Sequence, residues 1–94
     1  MANGLLIGAA ALGYQQMTSL SSATAPTVPA GTAYMVVQCE TQAVRWRDDG
    51  SSPTASVGMR LVPGDVMTWD GDKSTQLKFI EELASAKLNI SYYG

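Results

Sequence analysis

Turn-forming residues recur near positions 30, 41, 49, 63 and 71 of this sequence, and the stretches between them alternate apolar with polar side chains. Reversals roughly eight to fourteen residues apart leave room for short strands and for little else. The fold class this predicts is all-β: a small antiparallel β-sandwich or a jelly-roll-like barrel. Two runs carry the prediction best. From Thr32 to Glu40, Ala33, Met35, Val37 and Cys39 share one face, while Tyr34, Val36, Gln38 and Glu40 share a wetter one. From Lys87 to Tyr93, Leu88, Ile90 and Tyr92 line a single face, which predicts a strand paired inside the sheet and a C-terminus held down by it.

Between these runs lies the densest stretch of the chain, Val44 to Leu61, with Arg45, Arg47 and Arg60, the adjacent Asp48 and Asp49, and a Gly/Ser/Pro cluster. Val44 and Trp46 are expected on one face and Ala43, Arg45 and Arg47 on the other. Asp49-Gly50 and Ser51-Ser52-Pro53 are expected to reverse the chain, with Ala55 and Val57 resuming an apolar face. Pro63-Gly64 fits the central positions of a type II turn, and Val66 to Trp69 reads as the next strand, ended by Asp70-Gly71-Asp72.

The ambiguous segment is Thr75 to Ala86. Leu77, Ile80, Ala84 and Leu88 recur at helical intervals, and Glu81 to Ala84 are good helix formers. A strand over Gln76 to Glu81 with a tight loop at Ala84 to Ala86 is nonetheless expected, because a strand starting at Lys87 leaves no gap for two helical turns. Tyr14 to Leu20 reads as a weaker strand. Pro26 and Pro29 bar a central sheet position and make Thr27-Val28 an edge or connecting piece.

Charge divides the chain. All fourteen charged side chains lie between Glu40 and Lys87, so the first thirty-nine residues carry none. Residues 1–13 are expected to form an N-terminal arm, either an extended strap or a short helix through Ala9 to Leu12, and residues 14–94 the β-sandwich domain. The apolar run Leu5 to Leu12 is far shorter than the roughly twenty residues a membrane span needs, and no Lys or Arg precedes it as in a secretory signal. Leu5, Leu6 and Ile7 would be an aggregation hazard if bare, so the arm is expected to order against a neighbouring subunit, with Tyr14 at its junction with the domain.

The formal net charge of −2 argues against nucleic acid as a partner. Histidine is absent and Cys39 is the single cysteine, which removes zinc sites, disulfides and the commonest general base, so no enzyme, cofactor or metal is expected. Cys39, in an alternating run, reads as a small buried hydrophobe. Asp48-Asp49 and Asp70-Gly71-Asp72 do not match the calcium-loop pattern and read as turn carboxylates. Trp46 and Trp69 read as sheet core. Arg45, Arg47, Asp48 and Asp49 are the candidates for ion pairs at an interface that fix register and partner choice. A domain this small, without staples, is expected to self-associate.

One resemblance sharpens this picture. The runs Thr27 to Gly31, Val36 to Gly50, Pro53 to Met59 and Ala86 to Tyr93 resemble small virion proteins of tailed bacteriophages, over about residues 14 to 93. The resemblance implies a compact β-sandwich building block of the virion, made in the host cytoplasm and placed on the capsid surface as a decoration (cement) protein. Its partners would be the major capsid protein or other virion proteins, in a homo-oligomer, with a trimer expected from the threefold joints of shells. A neck, collar or tail-attachment component would obey the same physics. A host-surface carbohydrate binder is the further alternative, with Tyr34, Tyr92 and Tyr93 as its only aromatic candidates.

Overall fold

A computed structural model describes residues 10–70 and 76–94 of the chain. Seven strands run in order: β1 Ala11–Met17, β2 Tyr34–Glu40, β3 Val44–Arg47, β4 Met59–Leu61, β5 Val66–Asp70, β6 Lys78–Glu81 and β7 Lys87–Tyr93. They form a four-stranded sheet, β1-β7-β2-β5, and a three-stranded sheet, β4-β3-β6, antiparallel throughout. The fold is a small β-sandwich.

Register explains the core. Gln15 lies opposite Ile90, Ile90 opposite Val37, and Val37 opposite Met67, so these residues share the inner face of the larger sheet. Met17, Leu88 and Cys39 form the next row on that face. Phe79 and Val44 answer from the smaller sheet, and Met35, Val37, Cys39, Val44, Phe79, Leu88 and Ile90 are fully buried. β7 sits between β1 and β2, which is why its alternation is the cleanest in the chain: both edges are paired, and Leu88, Ile90 and Tyr92 all point inward.

Two turns follow from their residues. Asp65 N donates to Val62 O at 2.9 Å, and Gly64 takes φ +95°, the position in a type II turn where glycine is favoured. At the β2–β3 corner Thr41 takes φ +68°, and its hydroxyl is shared between the carbonyls of Glu40 and Ser85.

The two long sides of the sandwich differ. Residues Leu20 to Thr24 bond to β6: Thr24 and Phe79 exchange both backbone hydrogen bonds at 2.8 and 2.9 Å, and Glu81 N donates to Leu20 O at 2.9 Å. Leu20 is buried there, so the β1/β6 side is closed. On the opposite side β4 and β5, joined by the Val62–Asp65 turn, are edge strands with no such cover among the described residues.

Several expectations are corrected. The first strand is Ala11–Met17, not Tyr14 to Leu20, because Leu20 is diverted to close the sandwich; Ala11 and Leu12 are therefore sheet and not helix. The reversal after β3 is not a tight turn. It runs from Asp48 to Gly58, Thr54 and Val57 form a bridge of their own, and Ala55 and Val57 are exposed in it. The strand resumes at Met59, after Gly58, whose φ of +139° only glycine adopts readily. Ala33 lies before β2 and is exposed. The strand expected over Gln76 to Glu81 is present as β6 and begins only at Lys78, and the expected tight loop is the turn at Ala84-Ser85. The reversal expected at Asp70-Gly71-Asp72 lies outside the described residues beyond Asp70.

Candidate interaction surface

A groove of about 300 Å³ opens beside β3, lined by Trp46, Arg47, Asp48, Asp49, Val57, Gly58 and Met59. Its loop is built by local chemistry. Arg47 Nε and Nη2 donate to the two carboxylate oxygens of Asp49 at 3.0 and 2.5 Å, and Asp49 Oδ1 also accepts from Ser51 N at 3.3 Å. The Arg47 guanidinium holds the Asp49 carboxyl below its usual range. Three expected interface residues thus meet at one site. Arg47 and Asp49 spend their charge on each other, however, so the groove offers a neutral apolar wall with exposed Asp48 at its rim. Trp46 faces the sandwich interior, where its ring meets that of Trp69 edge to face with centroids 4.5 Å apart. Met59 is paired with Trp46 in register, yet 60% exposed, because β4 is an edge.

Arg45 does not join Asp48 and Asp49. It lies directly opposite Arg60 across β3 and β4, an arrangement of like charges that repels unless an anion intervenes. Glu82 supplies it: Oε2 accepts from Arg45 Nε at 2.7 Å and from Arg60 Nε at 2.9 Å, and Oε1 accepts from Arg60 Nη2 at 3.1 Å. Arg45 Nη1 also donates to Gly58 O at 3.0 Å, tying the cluster to the loop. The Arg60 guanidinium, with Arg45 behind it, holds the Glu82 carboxyl below its ordinary value. Arg60 and Glu82 escaped the sequence reading because only the register sets Arg60 against Arg45, and only the turn after β6 brings Glu82 to them.

The outer face of the four-stranded sheet is neutral over most of its area. Tyr14, 64% exposed, donates its hydroxyl to Asn89 Oδ1 at 2.5 Å, and Gln16 Nε2 donates to the same oxygen at 3.0 Å. Asn89 Nδ2 donates in turn to Gln38 Oε1 and Glu40 Oε1. Tyr14, Gln38 and Asn89 frame a shallow groove of about 280 Å³ completed by Val36, Val66 and Ser91. The charged pair on this face, Glu40 opposite Lys87, sits at one end of the sheet. Of the tyrosines expected to serve a carbohydrate, Tyr92 is buried on the inner face, where its hydroxyl donates to Gln15 Oε1. Tyr34 is buried in a stack with Tyr93 at 5.0 Å. Tyr14 is the exposed aromatic here.

Cys39 is fully buried, its sulfur directed at the carbonyls of Gln42 and Leu61, and burial pushes its thiol up to about 11. Such a thiol stays protonated and unreactive near neutral pH. Leu5, Leu6 and Ile7 lie outside the described residues. No protein-family model, curated protein or solved structure matches the chain.

Proposed function

We propose that this chain is a virion structural protein of a tailed bacteriophage, a capsid decoration (cement) protein seated across joints between major capsid subunits. The observation that carries the reading is the four-stranded sheet. Its outer face is amide-rich and neutral over most of its area, and β5, the edge strand on the open side, contains none of the Lys, Arg or Pro by which monomeric proteins blunt a sheet edge. Left alone in water, such edges invite pairing; in a shell, every copy has neighbours. A neutral surface repeated over a shell turns weak contacts into firm attachment by multivalency. The resemblance of residues 14 to 93 to small phage virion proteins points the same way.

The test is to titrate the purified protein onto shells assembled from the major capsid protein encoded alongside it, and to measure bound copies by sedimentation. Saturation at a number set by the capsid lattice supports decoration. Saturation at the small copy number of a single vertex favours a neck or collar component, and no binding at any concentration removes the reading.

A further inference from the structure

The two strand edges on the open side of the sandwich are not equivalent. β4 carries Arg60 at its middle position, the side chain 54% exposed and paired with Glu82, and a charge placed there guards an edge against strand addition. β5 has no such guard. Val66 and Thr68 are exposed, Met67 and Trp69 are half-buried against the core, and among the described residues no strand pairs with the outer edge of β5. Cys39 N donates to Asp65 O at 3.0 Å, so by the alternation of an antiparallel ladder Met67 and Trp69 turn their backbone groups towards Val37 and Met35 of β2. The N–H and C=O groups of Val66, Thr68 and Asp70 therefore point the other way, to the open edge.

Those three positions form a pattern complementary to itself. A two-fold axis at Thr68 sets Thr68 against Thr68 of a second copy, and Val66 against Asp70 in both directions, so all three residues exchange backbone hydrogen bonds. Moving the axis to Met67 or Trp69 leaves one of the three unpaired, and moving it to Asp70 sets like charges face to face. On the core side, the axis at Thr68 places Met67 against Trp69 of the second copy as a non-hydrogen-bonded pair, the closer kind, where a thioether meets an indole favourably. We infer that two copies of this chain associate through β5, antiparallel about Thr68, so that their four-stranded sheets join into one continuous sheet. The contact uses the same surface on both copies and closes at two, in place of the trimer expected from threefold joints. It rests on the β5 edge and not on attachment to a shell.

The test is sedimentation of the purified full-length protein across a dilution series, where a monomer–dimer equilibrium is expected. Thr68→Lys sets two ammonium groups against each other and is expected to weaken that equilibrium about tenfold. Thr68 is exposed, so this variant keeps the fold, which thermal melting checks. Register is read by two further variants under mild oxidation. Thr68→Cys puts the two new thiols at the axis, with Cα atoms about 5.5 Å apart and within disulfide reach, whereas Val66→Cys leaves them about 14 Å apart. Cys39 is silent because it is buried and protonated. A disulfide-linked dimer from Thr68→Cys, with little from Val66→Cys, is the expected result. Overturning results are a protein that stays monomeric throughout the series, an association insensitive to Thr68→Lys, or equal disulfide yields from the two cysteine variants. Shell titration of Thr68→Lys reads the cement role independently, so loss of the contact between copies and loss of shell binding are distinguished.

Discussion

Glu82 shows how a single side chain can decide whether two strands tolerate each other. Arg45 and Arg60 face one another, and the carboxylate between them, 17% exposed, accepts three hydrogen bonds from the two guanidinium groups. Because its folded value lies below the ordinary 4.5, with Arg60 the main cause, its contribution is present above that pH and lost as pH falls through the lower folded value. The melting temperature of the wild-type protein is therefore expected to fall more steeply below about pH 4.5 than that of Glu82→Gln, which starts lower at neutral pH and changes less. Parallel acid-side slopes in a calorimetric series would refute this. On β6 of the smaller sheet, Phe79→Ala is expected to cost about 3–5 kcal/mol in chemical denaturation, since its ring is fully buried and the facing sheet cannot collapse onto the void.

Elements fix what residues can do here through their ends. Gly58 permits the chain to enter β4 after the long loop, and a Cβ there would stand 3.1 Å from Trp46 O and 3.2 Å from the Cβ atoms of Arg45 and Pro53. Gly58→Ala is expected to destabilise by about 1–3 kcal/mol from backbone strain alone, and to loosen the groove, visible as altered near-ultraviolet circular dichroism from the Trp46–Trp69 pair. The Ala84-Ser85 turn offers the opposite case. Ser85 holds φ +76° without being glycine, so Ser85→Gly is expected to be neutral to slightly stabilising, within about 1 kcal/mol, by thermal melting. The strand character of β6 comes from its pairing with β3 on one edge and Thr24 on the other, which overrides the helix propensity of its sequence.

At the scale of the whole molecule, the asymmetry between a closed and an open side gives the sandwich a direction, and the neutral sheet gives it a face. Tyr14→Arg changes that face without touching the core, so it is expected to leave the melting temperature nearly unchanged while lowering shell occupancy in the sedimentation titration. Unaltered occupancy would move the attachment surface elsewhere. Alternation and turn spacing were enough to specify an all-β chain with strands over Thr32 to Glu40, Val44 to Arg47, Val66 to Trp69 and Lys87 to Tyr93, which the structure forms with small shifts at their ends, because a period of two and a reversal are local properties of the backbone. The inward rows through Met35, Val37, Leu88 and Ile90 were legible for the same reason. Three features belonged to the tertiary structure alone: which edges stay open, that Arg45 answers to Glu82, and that Val57 lines a groove instead of a core. Each depends on contacts between residues more than ten positions apart, as Arg45 and Glu82 are, and no local pattern encodes the register that brings such residues together.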